Sequence, residues 1–438
     1  MKIDFAREIS LKILYKIDTE NGYSNIVLDE YLNKYREKLN KKDINLISEI
    51  IYGSITWKLT IDYIIQKYSK IKLKKISKRV LNILRLGAYQ ILFLDKIPKS
   101  AAVNECVNLT KKYAFKSTSF VNAILRKIEK KDYKKLENIT SQVEKISKLY
   151  SMPEWLVEKL LKEYSVQTVE EICEYSNEKP KTTIRINTLK IDKENFLKKL
   201  ELEGIEYEET ELPNFLYLKN LKNIGELDLF KKGYFTVQDI GAGKIGLFLN
   251  PKIGEKVLDA CSAPGGKTTH LAELMKNTGE IIACELHSHR AKLVEENAKR
   301  LGITIIKSQV KDMQKIEKDY IEKFDKILLD VPCMGFGVMK RKPDIKWQRK
   351  KEDLETITKI QFEILNICSR YLKIGGELVY STCSILKNEN EDIIEKWLKE
   401  VDAEDSLKNR KYEIESKQKI LPDKNTDGFF MCKIKRIK

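Results

Sequence analysis

The tightest constraint on this chain is the alternation that begins near residue 240, where short apolar runs ending in a polar or thiol side chain are separated by helical stretches. The predicted strands are Val257–Asp259, Ile281–Cys284, Thr304–Ile306, Ile327–Asp330, Leu378–Ser381 and Phe429–Met431. Helices are predicted near 268–276, 288–301, 353–372 and 388–399. Apolar runs this short cannot pair in parallel without helical crossovers, so the pattern predicts a doubly wound, mostly parallel α/β sheet. In such a sheet, ligands collect at the carboxyl ends of the strands, where Asp259, Glu285, Asp330 and Cys383 fall.

The first 135 residues read differently. Apolar side chains recur at helical spacing in Phe5, Ile9, Ile13 and Ile17, and again from Val80 to Leu92. Asn45 to Leu59 and Ala102 to Tyr113 continue the pattern, and Ser100 after Ile97-Pro98-Lys99 is expected to cap the following helix. A compact helical bundle is predicted for 1–135. Lys127 to Lys135 reads as a linker or solvated helix end. Residues 145–240 mix helix and strand, with strands at Thr182–Asn187 and Phe215–Leu218, and helices opening at Pro153 and spanning Asn195–Leu202. That segment is expected to be a small α+β unit, and 241–438 the α/β domain.

The 438 residues carry a formal charge of +17. A folded chain this basic expects a polyanionic partner, unless a Lys-rich genome bias alone inflates the count. Charged residues interrupt every apolar run before it could span a membrane, and the N-terminus lacks a signal-peptide pattern. The eight cysteines show no CxxC pair and no zinc-type spacing, which suits reduced thiols in a cytoplasmic protein. His287 and His289 lack further ligands nearby and read as the start of a surface helix, so no metal site is expected.

The candidate chemistry clusters at the strand ends. Cys261-Ser262-Ala263-Pro264-Gly265-Gly266-Lys267 links the first strand to a helix. Its glycines allow close backbone approach, and the helix N-terminus offers N–H groups to a carboxylate or phosphate. The turn has neither the spaced glycines of a dinucleotide fingerprint nor the spacing of a P-loop. Glu285 follows Gly265 by 20 residues and ends the second strand, where an acid can bind ribose hydroxyls. Asp312 follows the third strand, within reach of a base edge. Asp330-Val331-Pro332-Cys333 ends the fourth strand, with Pro332 stiffening the turn, and Thr382-Cys383-Ser384 ends the fifth. Met334-Gly335-Phe336-Gly337 is expected to leave room for a flat ligand, and Lys340-Arg341-Lys342 to contact phosphates.

Two thiols and a carboxylate beside a nucleoside-bearing cofactor suit one kind of reaction. A thiolate adding to carbon 6 of a pyrimidine makes carbon 5 nucleophilic. A carboxyl group at N3 stabilises the charge that develops there, and a base must later remove the carbon-5 proton so that the thiol can leave. The target base is taken out of its stack. Residue chemistry alone does not say which thiol attacks.

At these residues the chain resembles the RNA cytosine-C5 methyltransferases that use S-adenosylmethionine. Cys261 to Lys267 resembles their cofactor loop, Asp330–Cys333 and Thr382-Cys383 their two cysteine motifs, and Pro343-Asp344-Ile345-Lys346-Trp347 also fits. Asp427-Gly428-Phe429-Phe430 resembles the end of their last strands. Residues 1–135 are similar to the helical RNA-binding domain of the antitermination factor NusB, a pairing that resembles the RsmB (Sun/Fmu) branch acting on 16S ribosomal RNA. The resemblance implies a Rossmann-like class I methyltransferase sheet preceded by a NusB-like helical domain and a small α+β RNA-binding unit, with Gln238-Asp239 at its junction with the catalytic domain. It implies Cys383 as nucleophile, Cys333 assisting product release and Asp330 contacting the cytosine. It implies Cys261, Ser262, Ala263, Pro264, Gly265, Gly266, Lys267, Glu285, Asp312 and Asp330 as the S-adenosylmethionine site, with Glu285 on the ribose and Asp312 on the adenine. Glu285 stands where bacterial relatives often carry Asp, and Ser262 where Ala is common. The implied partner is 16S ribosomal RNA or the assembling small subunit, with cytosine 967 as target. No oligomer interface is legible, and a monomer is expected. The other readings are a transfer RNA cytosine-C5 methyltransferase and a non-catalytic NusB-like RNA-binding factor. Intact Cys333, Cys383 and glycine turn argue against the latter.

Overall fold

The computed structural model describes residues 3–219, 223–405 and 410–438. The chain forms two compact units: Met1–Asn177 with Arg341–Lys351, and Glu178–Lys340 with Glu352–Lys438. The polypeptide leaves the second unit after Lys340 and re-enters it at Glu352.

The first unit is helical. Its central helix, Lys78–Phe93, buries 13 of its 16 residues because Leu, Ile and Ala occupy every face, so neighbouring helices must surround it. The two longest helices that pack on it begin with capping side chains. Asp4 accepts from the Arg7 N–H, and Asn40 forms a reciprocal capping box with Asp43, a device contributing about 1 kcal/mol. Arg85, buried on the central helix, is held by Asp62 through two 2.7 Å bonds and by Asp18 through a third. Two expectations fail here. The helix Lys99–Tyr113 is capped by Pro98 with no side-chain bond, which places Ser100 inside the first turn. The Lys127–Lys135 stretch is not a linker. Ile128 is fully buried, and the buried Asp132 carboxylate accepts from the Tyr68 hydroxyl (2.8 Å) and the Glu129 N–H (2.9 Å). One apolar and one acidic side chain thus pin the lysine run to the bundle.

The segment Arg341–Lys351 docks into the same helices. Asp344 accepts from the Ser24 hydroxyl (2.5 Å), the Trp347 indole N–H donates to Ile55 O (2.7 Å), and the buried Lys346 ammonium donates to Thr56 O, Ser151 O and Asn177 Oδ1.

The second unit holds two sheets. The smaller has order β2-β3-β1-β4, all antiparallel, from β1 (Thr182–Ile186), β2 (Tyr207–Glu209), β3 (Phe215–Leu218) and β4 (Phe235–Val237). The larger comprises β5 (Lys256–Asp259), β6 (Glu280–Glu285), β7 (Ile306–Val310), β8 (Phe324–Asp330), β9 (Leu372–Thr382), β10 (Tyr412–Ile420) and β11 (Phe429–Arg436), in the order β10-β11-β9-β8-β5-β6-β7. The five strands β5 to β9 pair in parallel, while β11 and β10 are antiparallel additions at one edge. The predicted doubly wound sheet is therefore the observed one. Two details differ. β7 lies later than Thr304–Ile306 because its Ile-Lys-Ser-Gln-Val sequence is an amphipathic edge, and the apolar run marks only its entrance. β10 escaped prediction because its apolar residues, Tyr412, Ile414 and Ile420, sit at the two ends of a largely polar, bulged edge strand.

Strand order reverses between β5 and β8, and a crevice at such a switch point is where α/β sheets bind ligands. Among the described residues no helix is long and apolar enough to cross a membrane.

Candidate active site at the carboxyl ends of the large sheet

β5 ends at Asp259, fully buried. One carboxylate oxygen accepts from the Thr268 hydroxyl at 2.7 Å; the other has no partner. Burial pushes this carboxyl up to about 7, against the pull of the Thr268 bond. The turn that follows is shaped by its surroundings. The Ser262 hydroxyl donates to Cys284 O (3.0 Å), so its side chain is turned away from the crevice. Arg290 and Asn297, from the helix Ser288–Leu301, donate to the carbonyls of Ala263 and Pro264. Gly265 caps the next helix, Gly266–Leu274, at φ 101°, a region that favours glycine, and a Cβ on Gly266 would meet nothing within 4 Å. That open face lies at a helix N-terminus. No neighbouring side chain fills the space beside it.

Arg185, buried on β1, stiffens this helix. It pairs with Glu273 through two bonds of 2.9 and 2.8 Å and donates to Gly266 O and Thr269 Oγ1. Breaking a buried pair of this kind costs about 3–5 kcal/mol. Glu285 ends β6, largely buried, with one oxygen accepting from the His287 N–H and from Arg290, each at 3.2 Å. Asp312 follows β7 and spends one oxygen on the Gln314 N–H (3.0 Å), while Lys315 lies 3.7 Å from the other.

The two thiols meet. Cys333 Sγ and Cys383 Sγ are 2.9 Å apart, inside hydrogen-bond range and far from the ~2.05 Å of a disulfide, and neither is disulfide-bonded. Asp330, at the tip of β8 and paired in register with Ser381, accepts from the Ser381 hydroxyl (3.0 Å) and the Lys267 ammonium (2.7 Å). Burial alone depresses Lys267, yet Asp330 and the Cys383 sulfur hold its ammonium above the ordinary lysine range. Cys333 is pushed well above the ordinary thiol range by its hydrogen bond with Cys383, by burial, and by Cys383, Glu389 and Asp330 as negative neighbours. Sequence reasoning placed Lys267 only in the cofactor loop; its pairing with Asp330 emerges from the fold. It also passed over Glu389, Gln361 and Asn390, all fully buried. Their only sequence signal was an acid and an amide shortly after Cys383. Two further expectations are corrected. Gly337 makes room for backbone, since a Cβ there would strike Gly428 O and Cys383 O. Lys340 is committed to Asp423 O (2.5 Å) and is not free for phosphate.

Comparison with known proteins agrees with this arrangement. A family model described as 16S rRNA methyltransferase RsmB/F matches residues 246–435; models for the NusB family and for a Methyltr_RsmF/B-like, ferredoxin-like domain match 5–130 and 152–224. The chain is 37% identical, over the full length of both, to the Bacillus subtilis (strain 168) protein named "Probable ribosomal RNA small subunit methyltransferase B". The chain belongs to the RsmB/F family of 16S rRNA methyltransferases. Another family member, "Ribosomal RNA small subunit methyltransferase B" of Escherichia coli (strain K12), is 31% identical over 95% of each chain. The crystal structure of PH0851 superposes with TM-score 0.81 at 27% identity over 99% of both chains. The structure titled NSun6 from Pyrococcus horikoshii with SFG gives 0.59 at 25% identity over 66% of this chain and 100% of that one. SFG is an analogue of S-adenosylmethionine, the methyl donor of this class. The crevice fits that donor. The unpartnered Asp259 oxygen, the open face of Gly266 and the Glu285 carboxylate can meet an ammonium group, a carboxylate and a ribose respectively.

Proposed function

We propose that this RsmB/F family member methylates carbon 5 of a cytosine in 16S ribosomal RNA, cytosine 967 by family resemblance, through a covalent adduct between Cys383 Sγ and carbon 6. The observation that carries this reading is the unequal surroundings of two touching thiols. Cys333 is driven towards its protonated form, while Cys383 faces the Lys267 ammonium. Either sulfur can donate to the other across this contact, and by family resemblance Cys383 is the thiol that becomes nucleophilic.

Attack forms the S–C6 bond and moves an electron pair onto the ring, where N3 takes up negative charge. Asp330 would contact the cytosine, and the Lys267 ammonium bonded to it at 2.7 Å would offset that charge. Bound S-adenosylmethionine, held by residues 261–267, Glu285, Asp312 and Asp330, supplies the methyl group. Release breaks the S–C6 bond, whose electrons return to the Cys383 sulfur, while the C5–H electrons rebuild the C5–C6 double bond. The carbon-5 proton passes to the Cys333 sulfur as Cys333 gives its own proton to the departing Cys383 sulfur, so both thiols are restored.

Residues 1–135 and 145–240 act in RNA binding and 241–438 in catalysis, on naked 16S RNA or on the assembling subunit, with the enzyme as a monomer. The net charge of +17 supports phosphate contacts across the chain. The test is incubation with labelled S-adenosylmethionine and unmodified 16S RNA, with transfer RNA in parallel, followed by mass spectrometric mapping. Label at 5-methylcytosine in 16S RNA is expected. Label in transfer RNA alone would reassign the substrate, and label at another atom would refute the chemistry.

A further inference from the structure

We infer that Glu389 is the positioning residue that holds both thiol turns in one frame, with its buried charge set beside the Cys333 turn. This inference deepens the methyltransferase reading and rests on it. Glu389 is fully buried, in a short turn just before the helix Glu391–Asp405. One carboxylate oxygen accepts from the Met334 N–H at 2.7 Å and from Gln361 Nε2 at 3.1 Å; the other accepts from the Ser384 hydroxyl. Met334 follows Cys333, and Ser384 follows Cys383. A single carboxylate therefore spans the two residues that succeed the two thiols.

The residues that precede the thiols are tied to the same cluster. Gln361 Nε2 also donates to Pro332 O (2.9 Å). Asn390, adjacent to Glu389, accepts from the Thr382 hydroxyl (2.6 Å) and donates to Ser384 O (3.0 Å). The Tyr380 hydroxyl donates to Glu389 O (2.6 Å), which fixes the turn against β9. Both flanks of both cysteines thus converge on Glu389, Gln361 and Asn390.

Burying a carboxylate is costly, and an apolar residue of similar volume fills such space more cheaply. An acid here gathers donors from turns that follow two different strands, which an apolar side chain cannot do. The negative groups facing Cys333 are Cys383, Glu389 and Asp330. Of these, Glu389 is the carboxylate that accepts from the N–H of Met334, the residue after Cys333. Lys267 pairs with Asp330 and faces Cys383, so its charge works on the opposite thiol.

The test reads each thiol separately. Native protein and the variants Glu389→Gln and Glu389→Ala are alkylated with iodoacetamide across a pH series under reducing conditions. Modification of Cys333 and Cys383 is quantified by peptide mass spectrometry, and neither RNA nor cofactor is needed. Native protein is expected to modify Cys383 at least about tenfold faster than Cys333 near neutral pH. Glu389→Gln keeps an acceptor for the Met334 N–H but removes the charge. Its Cys333 modification should begin about one pH unit lower, with kcat reduced about tenfold and KM for S-adenosylmethionine unchanged. Glu389→Ala should lose the preference between thiols and about a hundredfold in kcat.

A native Cys333 pH profile in Glu389→Gln overturns the electrostatic role. Native selectivity and kcat in Glu389→Ala overturn the positioning role. If the alanine variant does not fold, Glu389→Asp, one methylene too short to reach both turns, decides positioning instead: an unchanged kcat with native selectivity refutes it. Native alkylation asymmetry in a protein that methylates no cytosine would refute the proposed reaction and leave the Glu389 assignment intact.

Discussion

Cys333 and Cys383 are the same residue type at the ends of adjacent parallel strands, 2.9 Å apart, yet their surroundings are opposed. The Cys333 turn is buried and looks onto carboxylates from β8 and from the Glu389 turn. Cys383 is only half-buried and faces the ammonium of Lys267, which comes from the helix after β5. A sheet edge by itself treats two neighbouring strand tips alike. The difference comes from what the crossover connections bring over them: a lysine over one tip and a glutamate under the other. The fold, and not the residue type, sets the two identical side chains apart.

The sharpest test of that division is Cys383→Ala. Methyl transfer should fall by at least about 10⁴-fold, since a covalent step is lost outright, while calorimetry still detects cofactor binding. Activity near the native level would dissolve the comparison. Cys333→Ala should leave attack intact and stall release, giving a protein–RNA band that survives a denaturing gel and a turnover about 10²-fold lower. If the band forms in Cys383→Ala instead, the two roles are exchanged. Lys267→Met removes the cation from the Cys383 side. Turnover, kcat, should then fall by about tenfold or more. An unchanged kcat with a raised KM for S-adenosylmethionine would mean the ammonium serves the cofactor alone.

A gentler version of the contrast lies in the helical unit. Arg85 is buried against two aspartates, whereas Lys346 is buried against two carbonyl oxygens and an amide oxygen. Burial drops the Lys346 ammonium to about 7, from an ordinary value of 10.5. Between those two pH values the folded chain holds Lys346 neutral while the unfolded chain still binds its proton. The unfolded state then carries more protons, so stability should rise with pH through that window. The limiting slope is about 1.4 kcal/mol per pH unit. Lys346→Met should flatten this rise in urea unfolding of the full chain followed by ellipticity. Equal slopes would show that the ammonium is not titrating there.

Much of this was legible in the chain. β-Branched runs bounded by glycine turns marked the strands, because a strand buried on both faces needs such runs and little else. Asp259, Glu285, Asp330 and Cys383 could be placed at one rim because parallel strands share a carboxyl end. What escaped detection had no local signature. β10 is a charged edge strand held by its pairing with β11. Gly337 owes its identity to a close approach by Gly428, far along the chain. The segment around Lys346 reads as part of the α/β half but folds into the helices.

The sequence by itself determined the class of sheet, the set of reactive side chains and the expectation of a polyanionic partner, since periodicity, residue chemistry and net charge are local or additive properties. Only the tertiary structure decided which thiol is set against a cation and which against carboxylates, that Lys267 answers Asp330, and that Glu389 binds both cysteine turns. Those depend on distances between residues tens of positions apart. Electrostatic interaction and hydrogen bonding change steeply over a few ångströms, and no spacing along the chain encodes them.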